Sequence, residues 1–437
     1  MKKLLSFFLI LPLTLSLQAN QKIPLKKAIQ EGIQRNLEYA NKLLDEKNAQ
    51  IRTQKYEAQK RFHIDLNGSY LYQSETMEIE IPSVDIPEGI HFPGRKIQAG
   101  VHHSYDLQLS LTQPLYTGGI LSNRVELEEI QKAVSANQSL LQKHQIIDEI
   151  KSSFFQYQLL IKRKNSLETL RQKLEFHLKQ VKNLFQENLV NKNNLIETSS
   201  KIKEVNMNIE DIQRTIEKER LHFLRLCGHL PEEIDPGYTE ESLKKKKALS
   251  YFKKFHPVLR TLDHRIQMAE VSKKITSGKY LPQVSAFAQL HYGKPGIDFF
   301  KKEWMLYAKG GVTVNLSVFD WNNLRRDKKI LDNRILKLQN QRKKYIRDVT
   351  ENLDTLYSAK NSLKRKLSEA EDLIDYATEE AQLKKALYEE NQLPHIEYLT
   401  SLRNKQKYTI QKKEILIQIE QLEVKINTLI GRIKEEL

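Results

Sequence analysis

The stretch Leu306-Tyr307-Ala308-Lys309-Gly310-Gly311-Val312-Thr313-Val314-Asn315-Leu316-Ser317-Val318-Phe319 decides the fold. Leu306, Ala308, Gly310, Val312, Val314, Leu316 and Val318 share one side of an extended chain, and Lys309, Thr313, Asn315 and Ser317 share the other. Period two with one apolar face describes either a membrane barrel wall or a half-buried soluble sheet. Three more segments read the same way. Ile64, Leu66, Gly68, Tyr70 and Tyr72 alternate with Asp65, Asn67, Ser69 and Leu71, and Tyr105, Leu107, Leu109 and Leu111 with Asp106, Gln108, Ser110 and Thr112. Val284, Ala286, Ala288 and Leu290 alternate with Gln283, Ser285, Phe287 and Gln289. The strands are expected near 64–72, 105–116, 283–292 and 306–319. Strands of about 9–11 residues fit a tilted membrane span. Aromatics gather at their ends (Tyr70, Tyr105, Tyr116, Tyr292, Phe319, Trp321, with Tyr72 and Trp304), as interfacial girdles require.

The chain is written twice. A shift of 203 residues carries Leu115-Tyr116-Thr117 onto Val318-Phe319-Asp320, Phe185 onto Tyr388, and Asn188 onto Asn391. It also carries Leu226-Cys227-Gly228 onto Leu429-Ile430-Gly431. Earlier in the chain the shift reads as 219, because Phe62-His63-Ile64 faces Leu281-Pro282-Gln283. An insertion near 73–104, longer than its counterpart near 293–304, separates the two offsets.

Between Gly119 and Gly228 there is no glycine or proline, and between Gly311 and Gly431 the only breaker is Pro394. Ile147, Ile150, Phe154, Tyr157 and Ile161, then Leu167, Leu170, Leu174, Val181 and Phe185, step by three and four as a coiled-coil seam does. Asn188 to Asn194 interrupts that pattern. Asparagine tolerates the left-handed conformation that ends a helix and also caps the next one. Each half is therefore expected to hold a helix of about 70 residues, roughly 100 Å at 1.5 Å per residue, a tight reversal and a shorter return.

The 437 residues carry 71 Lys+Arg against 55 Asp+Glu, a formal charge of +16. Lysines and glutamates alternate along the helices, so the excess reads as a solvated helix surface and not as a nucleic-acid patch. Hydrophobic residues are 39% and charged residues 29%, too polar for a bundle of membrane helices. The basic start and the apolar run Leu4 to Leu17 read as a secretory signal at 1–19. One cysteine, Cys227, excludes an intrachain disulfide framework. The expected organisation is a first repeat at 20–228, an equatorial linker at 229–255, a second repeat at 256–431 and a tail at 432–437. Pro231, Pro236, Gly237 and the run Lys244 to Lys247 mark the linker.

Four strands cannot close a membrane barrel, and an open sheet in lipid leaves unpaired edges at several kcal/mol per group. Twofold repetition with threefold assembly would give twelve strands, continued by a hollow helical cylinder. The sequence resembles the TolC-type outer-membrane efflux proteins over essentially its whole mature length. The resemblance rests on Leu111 to Gly119, Leu316 to Asn322, His256-Pro257-Val258-Leu259, Gly278 to Pro282, and the endings Leu226-Cys227-Gly228 and Leu429-Ile430-Gly431. It implies a homotrimer with a twelve-stranded barrel in the outer membrane and a long periplasmic α-barrel. A periplasmic adaptor and an inner-membrane pump recruit that trimer, and it needs no cofactor.

The resemblance also implies an aperture at the last reversal, spanning Tyr388 to Thr400. Tyr388 fits the aromatic that tethers the closed state, Glu397 falls at a family aspartate and Thr400 at a second one. Leu393 replaces a basic tether. By the internal repeat Asn194 matches Glu397 and Glu197 matches Thr400, so one carboxylate per reversal, in three copies, would make a cation-favouring ring. The plainer reading makes Glu197 and Glu397 solvated helix-start carboxylates. Asn188, Leu189, Val190 and Asn191, with Asn391, Gln392, Leu393 and Pro394, are the tips an adaptor would touch.

His91, His102 and His103 lack the spacing of a zinc set, and no phosphate loop, nucleophile elbow or Cys/His pair appears in a suitable context. An enzyme is not expected. The competing class is a periplasmic coiled-coil scaffold or adaptor whose sheet is soluble and buried against its own core.

Overall fold

A computed structural model describes residues 22–432 except Glu88, Pro236, Phe299 and Asn391. The expected signal segment, Asn391 and the tail beyond Arg432 lie outside the described residues. Two long, breaker-free segments form helices α3 (Ile120–Gln186) and α7 (Asn323–Glu389), 67 residues each. Their returns are α4 (Lys192–Cys227) and α8 (His395–Leu429). The starts of all four helices, and the ends of α3 and α7, recur 203 residues apart. Helices α1 (Leu25–Arg35) and α2 (Leu37–Ala58) recur as α5 (Lys245–Phe255) and α6 (Pro257–Gly278), 220 residues later. The early offset is therefore 220 and not 219. In a strand one residue decides the face: 219 would set apolar Ile64 on polar Gln283, whereas 220 sets it on Val284.

Four strands form one antiparallel sheet in the order β1-β6-β7-β8: β1 (His63–Tyr72), β6 (His103–Thr117), β7 (Gln283–Lys294) and β8 (Met305–Asn315). The chain passes between sheet and helices at one end only, that of His63, Thr117, Gln283 and Asn315. The insertion at the other end is not an irregular loop. It folds into two short ladders, β2 (Met77–Ile81) with β5 (Arg95–Ala99) and β3 (Val84–Ile86) with β4 (Ile90–Phe92).

Strand β8 stops at Asn315, four residues before the expected end at 319. Gln283 of β7 pairs with Asn315, and β7 has no earlier residue to offer Leu316 to Phe319. The other edge of β8 has no neighbour among the described residues. Pro114 sits where β6 and β7 shift register, the bulge position at which a strand tolerates a residue without an N–H.

The chain divides into two compact units, each drawing on both repeats. The first takes the described residues up to Asn41, Leu140–His256 and those from Ile346 on. There Leu25, Ala28, Ile29 and Ile33 of α1 pack on Ile147, Ile150 and Phe154 of α3 and on Phe223 and Cys227 of α4. Leu170 and Leu174 meet Ile202, Val205 and Ile209 of α4 and Leu399 of α8. The expected seam is thus buried along most of its length, although Phe185 beside the reversal is exposed. The strap from Tyr238 to Lys245 is stitched to three helices. Lys151 of α3 and Asn427 of α8 hold Glu240 at 2.6 and 2.8 Å, Glu423 accepts from the Ser242 N–H at 2.8 Å, and Asp354 of α7 holds Lys245 at 2.7 Å. The second unit, Lys42–Ser139 with Pro257–Tyr345, carries the sheet. There Leu262 and Ala269 of α6 pack on Leu338 of α7.

Candidate functional site

The sheet pairing sorts the strand residues into two faces. Across the strands run the rows Ile64–Leu111–Ala288–Gly310, Leu66–Leu109–Leu290–Ala308 and Gly68–Leu107–Tyr292–Leu306. The alternate rows are Asp65–Ser110–Gln289–Lys309 and Asn67–Gln108–His291–Tyr307. Leu71, Phe287, Met305 and Tyr307 are apolar or aromatic exceptions on this second face. Asp106 and His291 pair there at 3.1 Å, with the imidazole stacked on Tyr307 at 4.8 Å.

The apolar face is open. Leu66 is 66% exposed, Leu306 64% and Val312 61%, and Leu107, Leu109, Leu290 and Val314 are exposed as well. Among the described residues no helix covers it, contrary to the soluble-sheet alternative. A contiguous apolar patch of this kind marks contact with another molecule or with a membrane.

The aromatics expected at a membrane interface fall at the two ends of this band. Tyr70 lies 5.2 Å from Tyr105, and Trp304 bridges Tyr105 at 5.7 Å and Tyr292 at 5.0 Å. At the helix end Tyr116 is exposed, and Phe319 packs on Trp321 at 5.1 Å. Tyr116 follows Tyr105 by eleven positions along β6. That is about 37 Å along the strand, or about 28 Å across a membrane at a tilt of about 40°.

The turn that joins sheet to helix needs two consecutive left-handed residues. Gly118 and Gly119 supply them with φ of 60° and 76°, and a Cβ on Gly118 would run into the carbonyl oxygen of Gly278. At the repeated position Trp321 and Asn322 adopt φ of 54° and 64°. A tryptophan there carries backbone strain that glycine at the repeated position avoids.

The two helix reversals share one backbone hydrogen bond. Asn188 adopts φ of 61°, its N–H reaches Phe185 O at 3.0 Å, and the Leu189 N–H reaches Leu184 O at 2.8 Å. This is the double bond that closes a helix on a left-handed residue. At the second reversal the Gln392 N–H reaches Leu387 O, also at 2.8 Å, the counterpart of the Leu189 bond 203 residues on. Asn191 precedes α4, and Pro394 precedes α8 with an extended backbone at φ of −60°. Leu189 and Gln392 are exposed, and Val190 and Leu393 half-buried.

The structure gathers Tyr388 into a cluster that the sequence pattern did not reveal. Its ring stacks on Tyr398 of α8 at 5.6 Å and 12°, and His177 of α3 meets both rings edge-on at 5.8 and 5.2 Å. His177 is 3% exposed, and burial pulls its imidazole below the usual range. Burial raises both tyrosine hydroxyls. His177 stands eleven residues before Asn188, within a run of charged and apolar positions that gives a histidine no distinguishing pattern.

Glu397 is exposed and lies 3.9 Å from Lys384, which holds Glu380 at 2.8 Å. The hydrogen bond to Glu380 raises the Lys384 ammonium. The Thr400 hydroxyl donates to Ile396 O at 2.7 Å, and the Asn194 carbonyl accepts from Thr198 at 2.8 Å. Glu197 is half-buried. These side chains are not drawn into one cluster within the chain. Thr400 lines a cavity of about 660 Å³ among α3, α4 and α8, floored by Leu170, Leu174 and Val205. Among the described residues no group of three His, Cys, Asp or Glu side chains could hold a metal, and no helix is long and apolar enough to cross a membrane.

This arrangement defines a fold class: a small antiparallel sheet carried with two pairs of long helices in a twofold repeat. No family model and no curated protein sequence matches the chain. Solved structures do. The outer membrane protein VceC of Vibrio cholerae aligns with a TM-score of 0.74 at 14% identity, covering 93% of this chain and 96% of that one. CusC, solved in a study of folding and transmembrane channel formation, aligns at 0.75 and 14%, covering 94% and 93%. The Campylobacter jejuni CmeC outer membrane channel aligns at 0.71 and 12%, covering 96% and 88%. The chain has the fold of these outer-membrane channels, the fold that the sequence resemblance implied.

Proposed function

We propose that this chain is the outer-membrane exit duct of a tripartite efflux or type I secretion system. It is a passive homotrimeric channel that carries out no chemistry. The observation that carries this reading is the open apolar face of a sheet whose outer strands, β1 and β8, each lack a neighbour on one side among the described residues. Removing those edges requires further strands. With four antiparallel strands per chain, β8 of one copy runs antiparallel to β1 of the next, so a ring closes without a parallel junction. Three copies give twelve strands. The polar rows then line water, the apolar rows face outer-membrane lipid, and the helices extend into the periplasm.

The tip is the proposed gate. The His177–Tyr388–Tyr398 stack ties α7 and α8 to α3 in the closed state, and Glu397 and Glu197, in three copies each, line the aperture near Thr400 and Asn194. The reversals at Asn188 to Asn191 and Asn391 to Pro394 present short loops to an adaptor that brings the inner-membrane pump. Conductance across a planar bilayer tests the proposal. The purified protein should give discrete trimer-sized steps, and Glu397→Ala should alter cation preference. Absence of any conductance from correctly folded trimers would overturn the duct, and an unchanged cation preference would remove Glu397 from the aperture.

A further inference from the structure

The two repeats differ where sheet becomes helix. Helix α7 opens Asn323-Leu324-Arg325-Arg326-Asp327-Lys328-Lys329, and the 203-residue shift sets its four cations on Ser122, Asn123, Val125 and Glu126 of α3. The first repeat shows what a helix start needs after this turn, and those cations are not among its requirements. Its own charges are engaged inside the chain. Arg124 lies over the Tyr56 ring at 5.6 Å, and Glu126 pairs with Lys274 at 3.7 Å.

The α7 cations are not engaged in that way. Arg325, Arg326 and Lys329 are exposed, and Lys328 is half-buried. Among the described residues none of the four pairs with a carboxylate, and Arg326 reaches only the Asn323 side chain, at 3.3 Å. Of the neighbouring acids, Asp320 accepts from the Leu324 N–H at 2.8 Å and from the Tyr280 hydroxyl, and Asp327 acts on that same hydroxyl. A surplus of positive charge remains. Its level in the fold points to a partner. The four cations lie within about 10 Å of the start of α7, directly after the exposed aromatics Phe319 and Trp321. A headgroup layer extends about 5–8 Å beyond the hydrocarbon. Lys60 and Arg61 before β1, and Lys279 before β7, are exposed at the same end of the sheet. Apolar rows, then aromatics, then cations is the order that suits a passage from hydrocarbon into anionic headgroups.

We propose that the first two turns of α7, with Lys60, Arg61 and Lys279, form a belt that binds the headgroups of anionic phospholipid in the periplasmic leaflet. The inference rests on the lipid-facing reading of the sheet and goes beyond it, because it gives the wall a preference among lipids. Lys337 and Lys344 stand about 18 Å or more beyond Arg325 along α7, past a Debye length of about 8–10 Å, and take no part.

The test uses the full chain with Trp304→Phe, which leaves Trp321 as the sole tryptophan, folded into phosphatidylcholine vesicles. A minor lipid brominated on its acyl chains, either phosphatidylglycerol or phosphatidylcholine at the same fraction, quenches Trp321 as often as it stands beside it. Brominated phosphatidylglycerol should quench about fivefold more strongly, and the ratio should fall towards one in high salt. Arg325→Ser, Arg326→Asn, Lys328→Val and Lys329→Glu together import the first repeat's residues and should bring the ratio close to one. The milder Arg325→Gln with Lys329→Gln should lower it part of the way, and Lys337→Gln with Lys344→Gln should leave it unchanged. Equal quenching by the two lipids, no quenching of Trp321, or a ratio that neither α7 variant lowers overturns the proposal. A label on Leu111→Cys, in a Cys227→Ser background, reports on the wall separately. If neither brominated lipid quenches that label, the duct reading itself fails.

Discussion

Leu111→Arg separates a membrane wall from a soluble sheet by a large margin. Leu111 lies midway between Tyr105 and Tyr116 on β6, with Ile64 on one side and Ala288 then Gly310 on the other. If the apolar rows face lipid, the guanidinium enters near the midplane at a cost of about 2–4 kcal/mol per chain. In the proposed trimer three chains share one wall, which then loses about 6–12 kcal/mol. At 1.4 kcal/mol per decade the folded-to-unfolded ratio falls about 30- to 700-fold per chain. On a water-exposed face the same change stays within about 0.5 kcal/mol. Asn67→Arg, on the polar face of β1, is the matched control and should cost little. Leu111→Ala isolates the packing lost beside Ile64. The assay is denaturant titration of protein folded into lipid vesicles, followed by tryptophan fluorescence. If Leu111→Arg and Asn67→Arg fall within experimental error of each other, the apolar rows do not face lipid.

Three further outcomes are expected. Tyr388→Ala removes two of the three ring contacts at the tip, each worth about 0.5–1.5 kcal/mol, and should raise the open-to-closed ratio about 5- to 100-fold in single-channel recordings. Tyr388→Phe, which keeps the ring, should change it little; equal effects would remove the stack from the gate. Trp321→Gly relieves a left-handed conformation worth about 1–2 kcal/mol and should stabilise the protein in detergent while lowering its yield of insertion into vesicles. Loss of stability in detergent would contradict the strain. His144 and His256 are both buried, and burial, reinforced for His144 by Lys143 and for His256 by His144, depresses each to about 4. Their unfolded forms bind protons more readily, so their contribution is fully present above about pH 6.5 and is lost as pH falls from there towards 4. A loss of the order of 3 kcal/mol for the pair, measured by denaturation between pH 7 and 5, should vanish in His144→Gln with His256→Gln. An unchanged slope would contradict it.

The long helices and their reversals were legible because few residues decide them. A run without glycine or proline, an apolar seam at three and four, and Asn188 at the break specify α3 and α4, and the repeat copies them into α7 and α8. Tertiary packing buries that seam at Ile147, Ile150 and Phe154 and leaves it open at Phe185, beside the turn. The strands were legible in phase but not in extent. Leu316 to Val318 keep the alternation, yet a strand ends where its partner ends, and that end is set by pairing between segments far apart in the chain. The same non-locality hid the 220-residue offset, since the pairing that fixes each strand's register joins segments far apart in the chain.

The tip was half legible. Tyr388 stood out through the repeat and the family resemblance, whereas His177 and Tyr398 joined it only once three helices were packed together. The outer hairpin was read as an insertion because its strands are only three to five residues long. Its pairing depends on a register that alternation over so few residues cannot fix. Trp321 and Asn322 show the opposite case. Asn322 permits a left-handed turn but Trp321 does not announce one, and only the paired Gly118 and Gly119 in the first repeat reveal what the backbone requires there.

Four strands per chain form a lipid-facing wall only when separate chains contribute to it, and everything proposed for the duct depends on that. Native mass spectrometry of the detergent-solubilised protein counts those chains directly. Three chains per particle, collapsing to unfolded single chains when detergent is withdrawn, is the expected result. A folded single chain that stays soluble without detergent would contradict it.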